Sequence, residues 1–199
     1  DEGDEIPAGA TIFEFNGNGA EILKIRRLLE WLASSLSGLA TATREVVKFL
    51  GDHNKKLVAG NSVSPIFEEF EKIAFTTGGG EMPFSGISQR IYLTQNHFIY
   101  AGKSPDEVIT TLVDELGVAR KKIKIEVEVN DPIQFAEINK LDCDMIHLVD
   151  FNDEQLRTVF EKLNPRHKTV VHLATLADFR PEYDYYFFKY VAVEDLHRT

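Results

Sequence analysis

The chain has 199 residues, of which 43% are hydrophobic, and a formal net charge of -10. This length suffices for one sizeable domain with a full core and for part of a second. Asp and Glu outnumber Lys and Arg by 32 to 22, which disfavours a nucleic-acid-binding surface. No apolar run approaches a membrane span and no signal-peptide pattern opens the chain, so we expect no membrane insertion and a cytoplasmic or organelle-matrix protein.

The number of cysteines excludes two kinds of covalent or metal cross-link. The single cysteine, Cys143, excludes an internal disulfide and a cysteine-based metal cluster. We expect it to be a small buried apolar side chain. No pattern in the chain indicates a cofactor.

The N-terminal segment contains one alternating stretch, Thr11–Phe15, which predicts a strand. One or two strands cannot form a domain. Residues 1–19 are therefore predicted to be a remnant of a small N-terminal domain, or to lean on the main body, and residues 20–199 to form the main domain.

A helix is predicted from Ala20 to about Asp52, because Ile and Leu recur there at helical spacing and form a stripe that should dock on the core. Small residues dominate Ser34–Thr43 within it. They permit a ligand or another backbone to approach closely, although a tight contact between helices or a bend would also explain them.

Strands and helices alternate in the rest of the chain. The predicted strands are Leu57–Ala59, Arg90–Thr94, Lys122–Val129, Met145–Val149, Thr169–Leu173 and Tyr185–Val193. The predicted helices are Pro65–Thr76, one capped by Ser104 and ending at Leu116, Pro132–Lys140 and Asp153–Leu163. This alternation predicts an α/β fold in which six parallel strands form a barrel-like sheet.

The Lys122–Val129 strand has the most regular alternation in the chain. Its polar side ends in Glu126 and Glu128, which project toward the C-terminal end of the strand. In a barrel of alternating strands and helices, sites are built at that end. The alternative is a half-exposed strand with solvated charges.

Five motifs, in this order, resemble one known family. They are Ser37–Thr41 followed by Thr43-Arg44, the triple glycine Gly78–Gly80, the pair Asn96-His97, the strand Ile125–Glu128 and the strand Asp144–Leu148. From about Gly3 to Leu196, the chain looks like the quinolinate phosphoribosyltransferases, also called nicotinate-nucleotide pyrophosphorylases (carboxylating). No single motif is specific, but the order of all five is.

The resemblance implies a small sandwich-like N-terminal domain followed by a six-stranded α/β barrel, in agreement with the strand count. It also implies a reaction of NAD biosynthesis, in which quinolinate joins phosphoribosyl pyrophosphate with loss of carbon dioxide to give nicotinate mononucleotide. Both reactants are polyanions, so several Arg and Lys side chains must converge on one cavity.

Part of the family's site survives in this chain. The resemblance places Arg27 at a helix-borne arginine, Glu126 or Glu128 at the barrel carboxylate, and His97 in the loop after the second recognised strand. Glu126 matches the family's first carboxylate. These four residues are the candidate catalytic groups.

Most of the other site positions are replaced. The family's Thr-Arg-Lys-Thr, His-Asn-His-Arg and Lys-Asp motifs are lost, as are an Asp at a strand end and a glycine-rich phosphate turn, which lies around Ala174–Leu176 here. The degenerate substrate-binding positions are Asn61, Ser62, Phe84, Thr94 and Val149. A hydrogen bond to a charged group contributes about 1.5–3 kcal/mol. Replacing about four cations at once therefore weakens substrate binding on the order of 10⁴-fold even at the lower figure.

Two functions remain open. We favour a catalytically inactive relative, a pseudoenzyme, that is retained as a structural or interaction subunit of a larger assembly. The alternative is an active, altered phosphoribosyltransferase or other enzyme that uses Arg27, Glu126, Glu128 and His97 on a less charged substrate. The resemblance also offers a partner subunit as a source of cations, because the family's active site is shared across a dimer. A metal site that combines Glu126, Glu128 and His97 with His147 is the weakest interpretation, because we expect His147 to lie in apolar packing.

A protein partner is predicted on two grounds. The family's small domain covers the partner's barrel mouth, and little of that domain is present. Aromatic residues also crowd Tyr183–Tyr190, and such residues are enriched at interfaces. We expect this segment or Ala20–Leu50 to contact another subunit, in a hetero-oligomer rather than a homodimer.

Overall fold

Six parallel strands form one sheet in the computed structural model, which describes residues 2–60, 67–82 and 90–196. The strands are β1 Lys56–Leu57, β2 Arg90–Leu93, β3 Lys124–Val129, β4 Met145–Leu148, β5 Lys168–Leu173 and β6 Tyr190–Val193. Their order is β1-β6-β5-β4-β3-β2, which is the sequence of strands around a barrel, and no pairing joins β1 to β2 within the described residues. Glu81 forms an isolated parallel bridge with Val58 on the edge of β1 that faces away from β6. Every pairing is parallel, so the predicted six-stranded parallel α/β fold is confirmed.

Helices connect the strands at crossover positions. They are α1 Gly19–Asp52, α2 Glu68–Thr77, α3 Gln95–Ala101, α4 Pro105–Leu116, α5 Pro132–Ile138 and α6 Asp153–Phe160, with short 3-10 helices at Gly117–Lys121, Leu176–Asp178 and Pro181–Tyr185. The predicted Ser104 cap of α4 is present: the Ser104 hydroxyl accepts from the Glu107 N–H at 3.3 Å, and the Glu107 carboxylate accepts from the Ser104 N–H at 3.0 Å. Pro65, the predicted start of α2, lies outside the described residues.

The two faces of the sheet have different roles. Ile125, Val127 and Val129 of β3 point to the outer face, where the helices pack and bury them completely. Glu126 and Glu128 point to the opposite, inner face, since side chains alternate along a strand. The lower part of this inner face is filled by a small apolar cluster of Val58, Met145, Val170 and Ala192. The polar groups lie above this cluster, toward the C-terminal ends of the strands.

Only the C-terminal half of α1 docks on the sheet. Leu39, Val46 and Leu50 are buried, whereas Leu28 in the N-terminal half is 53% exposed. The expectation that the whole Ile/Leu stripe docks within this chain is therefore wrong for the N-terminal half. The apolar stripe continues along the helix beyond the surface that this chain provides to cover it.

The small residues of α1 serve a contact between helices. A Cβ atom added at Gly78, just after α2, would lie 2.5 Å from the carbonyl oxygen of Ala40 and 2.6 Å from Cβ of Thr43. The tight-contact explanation of the Ser34–Thr43 run therefore applies at its C-terminal end. α1 passes through Ser34–Thr43 as one continuous helix.

Two strand predictions are wrong. Thr11–Phe15 forms no strand, because no described neighbour pairs with it, and its Phe13 and Phe15 rings contact each other at 4.8 Å instead. The last strand begins at Tyr190 rather than Tyr185. Pro181 favours a 3-10 turn before it, and Phe188 stacks on Phe160 of α6 at 4.8 Å, so this aromatic segment packs as an irregular cluster.

Cys143 is buried as expected, and burial raises the pKa of its thiol to about 12. None of the helices in the described ranges has the length and apolar character required to cross a membrane.

Candidate functional site

A row of hydrogen-bonded polar side chains crosses the inner face of the sheet, near the C-terminal ends of β3, β4, β5 and β6. His147 Nε2 lies 3.1 Å from Glu126 Oε2, and His147 Nδ1 lies 2.8 Å from His172 Nε2. His172 Nδ1 lies 2.6 Å from Oε1 of Glu194, which immediately follows β6. We call these four side chains the Glu–His–His–Glu chain.

Register brings the four residues together. Glu126 pairs with Met145, His147 with Val170 and His172 with Ala192, so each member of the chain lies two positions beyond the register partner of the member before it. Residues two positions apart on a strand face the same side, so all four side chains point to the inner face. The Glu–His–His–Glu chain is therefore a product of the sheet and not of one sequence motif.

Two residues of β2 flank the chain. Nη1 of Arg90 lies 3.5 Å from Glu126 Oε2, and the Tyr92 hydroxyl donates to Glu128 Oε2 at 3.2 Å. The Tyr92 ring packs edge-on against the His147 ring with centroids 5.0 Å apart. Glu128 thus belongs to a separate hydrogen bond beside the chain.

Burial is deepest at the inner end of the chain. The Glu126 side chain is 0% exposed, and its second oxygen, Oε1, is buried without a hydrogen-bond partner among the described residues. Burial also lowers the pKa of His147, partly offset by its hydrogen bond to Glu126. The outer end, Glu194, has a side chain that is 38% exposed.

A cavity of about 670 Å³ adjoins the outer end of the chain. His172 and Glu194 form part of its wall. The acidic residues that line it are Asp150, Asp153, Asp178, Glu194 and Asp195. The one lining arginine, Arg180, is bonded to Asp153 with Nε 3.3 Å from Oδ2. The charged residues of the cavity wall are therefore predominantly acidic.

The structure does not gather the four candidate catalytic residues at one point. Arg27 lies on the exposed N-terminal half of α1, and no described contact joins it to the carboxylates. His97 caps α3, since its Nδ1 accepts from the Thr94 N–H at 3.0 Å. Only Glu126 and Glu128 share a strand, and they belong to different hydrogen bonds.

Two of the degenerate positions lie within the described residues. Thr94 is the N-cap of α3, and Val149 follows β4 at the cavity wall. Asn61, Ser62 and Phe84 lie outside the described residues. Within the described ranges, no group of three or more His, Cys, Asp and Glu residues is arranged to hold a metal ion.

Sequence reasoning missed His172 and Glu194, and it misjudged His147, which joins the polar chain instead of apolar packing. One signal was available. His147-Leu148 and His172-Leu173 are the same dipeptide at the ends of two successive predicted strands. A repeat of this kind places two imidazoles side by side on one face of a parallel sheet.

Fold and site together define an α/β protein with a parallel sheet, covering helices and a polar site at the C-terminal ends of the strands. A family model for the quinolinate phosphoribosyl transferase C-terminal domain matches residues 39–175. The chain belongs to the quinolinate phosphoribosyl transferase family.

Relatives and solved structures agree with this assignment. The chain is 32% identical over 171 residues to a probable nicotinate-nucleotide pyrophosphorylase (carboxylating) of Archaeoglobus fulgidus, covering 83% of this chain and 62% of the relative. The Bacillus subtilis protein of the same description is 29% identical over 164 residues, covering 82% of this chain and 55% of the relative. The chain thus spans less than two thirds of the length of these relatives.

The fold is shared with solved structures. NadC from Streptococcus pyogenes superposes with a TM-score of 0.76 at 24% identity, covering 98% of this chain and 67% of that one. The nicotinate-nucleotide pyrophosphorylase from Francisella tularensis superposes with a TM-score of 0.79 at 22% identity, covering 99% of this chain and 69% of that one.

Proposed function

We propose that this family member does not catalyse phosphoribosyl transfer and serves as a structural or interaction subunit of a larger protein assembly. The observation that carries the proposal is the charge at the barrel mouth. Binding quinolinate together with phosphoribosyl pyrophosphate requires several cations at one cavity. This chain presents carboxylates there.

The charge can be counted along the strand ends. Of the two residues that follow each described strand, none is Lys or Arg and four are acidic. The acidic ones are Asp131, Asp150, Glu194 and Asp195. The sequences of 61–66 and 83–89, which hold two of the degenerate motifs, also contain neither Lys nor Arg. The missing cations are therefore not compensated by these strand-end residues or by residues 61–66 and 83–89.

The position of the Glu194 carboxylate also disfavours binding of a substrate phosphate. A Cβ atom added at Gly60 would lie 3.2 Å from Glu194 Oε1, so this carboxylate packs against the end of the segment that follows β1. In the family pattern, the residues after the first barrel strand include an arginine and a lysine. A carboxylate at that place repels a substrate phosphate instead of binding it.

Calorimetry tests the lost binding. The full chain is titrated with quinolinate and with phosphoribosyl pyrophosphate at millimolar concentration, and the Bacillus subtilis relative serves as the positive control under the same conditions. We expect no heat of saturable binding from this chain. Saturable binding of either compound would support the alternative, an altered phosphoribosyltransferase that uses Arg27, Glu126, Glu128 and His97.

The interaction part of the proposal rests on the N-terminal half of α1. Ile25 and Leu28 are 48% and 53% exposed there and continue the stripe that docks on the sheet. Leu23 and Trp31, 69% and 48% exposed, lie on other sides of the same half of the helix. Large exposed apolar patches mark interaction sites in soluble proteins. Tyr185 and Phe187 of the aromatic segment add a second exposed apolar surface.

We propose a different protein as the partner, because two copies would each bring a net charge of -10 to the contact. The double variant Ile25→Asp/Leu28→Asp should lose a partner that copurifies with the native protein. The control, Lys24→Ala, changes a side chain that is paired with Glu21 on the exposed surface and should retain it. A native protein that purifies alone and scatters light as a well-behaved monomer would refute the interaction role.

A further inference from the structure

The three hydrogen bonds of the Glu–His–His–Glu chain need three hydrogens. Each bond requires one donor hydrogen between its two heavy atoms. Two ionised carboxylates and two neutral imidazoles carry only two hydrogens, one on each ring. The Glu–His–His–Glu chain therefore has one hydrogen too few for its three hydrogen bonds if its four groups are in their ordinary protonation states near neutral pH.

The missing hydrogen is the one between the two imidazole rings. If both carboxylates accept, His147 donates from Nε2 to Glu126 and His172 donates from Nδ1 to Glu194. His147 Nδ1 and His172 Nε2 then face each other at 2.8 Å with lone pairs only. Such a contact is repulsive, and both rings are buried away from water. One additional proton turns this contact into a hydrogen bond.

The buried end of the chain is the favourable place for that proton. Glu126 is fully buried, its Oε1 has no described partner, and the nearest cation group, Arg90 Nη1, is 3.5 Å from Oε2. A buried carboxylate with an unpaired oxygen is costly in its charged form. Burial also lowers the pKa of His147, which disfavours placing the positive charge on that ring.

We propose that Glu126, His147, His172 and Glu194 form a proton relay that holds one shared proton, with its inner end on Glu126 and its outer end at the cavity wall. In the resting arrangement Glu126 donates to His147 Nε2, His147 Nδ1–H donates to His172, and His172 Nδ1–H donates to the Glu194 carboxylate. Moving each of the three hydrogens along its own bond transfers the negative charge from Glu194 to Glu126. No hydrogen is gained or lost, and all three hydrogen bonds persist.

The charged groups around the relay act in opposite directions at its two ends. Among the described residues, Arg90 is the one cation in contact with the relay, and it favours the ionised form of Glu126, while the Tyr92 hydroxyl on the same strand is bonded to Glu128. On the cavity side the wall contains one cation, Arg180, and four acidic residues besides Glu194. These are Asp150, Asp153, Asp178 and Asp195. An excess of negative charge stabilises a bound proton.

The relay predicts that the stability of the fold falls as the pH rises. In the unfolded chain at about pH 7.5–9, both Glu side chains are ionised and both His side chains are neutral. Folding then takes up one proton, so this contribution to stability is present at lower pH and is lost as the pH rises. The unfolding equilibrium constant increases about tenfold per pH unit from this contribution alone.

Urea unfolding of the full chain across about pH 7.5–9 tests the proposal with two isosteric variants. In Glu126→Gln, the amide N–H replaces the additional proton as donor to His147, so two neutral rings complete the chain. Glu128→Gln changes a neighbouring carboxylate that lies outside the relay. We expect Glu128→Gln to follow the wild type, and the unfolding constant of Glu126→Gln to rise about tenfold less per pH unit.

Equal pH dependence of the wild type and Glu126→Gln would overturn the relay. If Glu126→Gln does not fold, infrared spectroscopy of the wild type gives an independent answer. At about pH 8, where ordinary carboxyl groups are ionised, we expect the carbonyl band of one protonated carboxyl group that shifts in heavy water. Absence of that band would also overturn the proposal. Neither result depends on whether the chain binds phosphoribosyl pyrophosphate.

Discussion

The substitution Gly78→Ala tests how closely α1 and α2 pack. The backbone of Gly78 is in the right-handed helical region, so alanine fits its dihedral angles without strain. The added Cβ, however, would lie 2.5 Å from a backbone oxygen of α1, the carbonyl of Ala40, and 2.6 Å from Cβ of Thr43. Neither atom is the end of a flexible side chain, so the two helices must separate to admit the methyl group.

The expected cost follows from this geometry. Ordinary van der Waals contact begins at 3.4 Å, so the helices must move apart by about 1 Å at this point. Overpacking of this kind destabilises a protein by about 1–3 kcal/mol. The unfolding equilibrium constant should therefore rise by about 5- to 150-fold.

Gly38→Ala is the matched control, because it adds the same methyl group to α1 where no atom lies within 4 Å. Removing an interior helical glycine should stabilise the protein by about 0.5–1 kcal/mol. Urea denaturation of both variants should move the midpoints in opposite directions. A Gly78→Ala variant as stable as the wild type would refute the close packing of these helices.

Two further substitutions test polar contacts. Burial acts to raise the pKa of Asp144, but hydrogen bonds from the Ile125 N–H, Lys124 and Arg120 outweigh it and lower the pKa. Asp144→Asn should therefore cost about 1.5–3 kcal/mol at pH 7 in urea denaturation. The difference from the wild type should shrink as the pH falls below about 4, because the depressed pKa stabilises only the ionised form; a constant difference would contradict this. Ser104→Ala should cost about 1 kcal/mol through loss of the α4 cap, whereas the exposed Thr110→Ala should cost nothing in the same assay; equal effects would argue against the cap.

Local signals in the sequence predicted most of the fold. The α4 cap depends on Ser104 and Glu107, three positions apart, and β3 on an alternation within eight residues, so neither needs knowledge of the rest of the chain. α3 was missed because its capping box uses His97 at the place where Glu or Gln is usual. Thr11–Phe15 failed for the opposite reason, since alternation alone cannot supply a neighbouring strand.

The site was predictable only in part. Glu126 and Glu128 follow from the period of one strand. The contacts of His147, His172 and Glu194 depend instead on the register of four strands, because each contact joins residues more than 20 positions apart. Hydrogen bonds between such positions leave no mark in a local pattern, except for the repeated His-Leu dipeptide.

The edges of the sheet at β1 and β2 limit how a partner can bind. A sheet edge normally offers a row of unpaired backbone groups to which another chain can add a strand. Here β1 contains two residues, and Glu81 already bonds to its free edge, with its N–H donating to the Leu57 carbonyl at 2.8 Å, while β2 contains four residues. An added strand would gain few main-chain hydrogen bonds at these edges. A partner should therefore recognise this protein through side-chain contacts and not by adding a strand to the sheet.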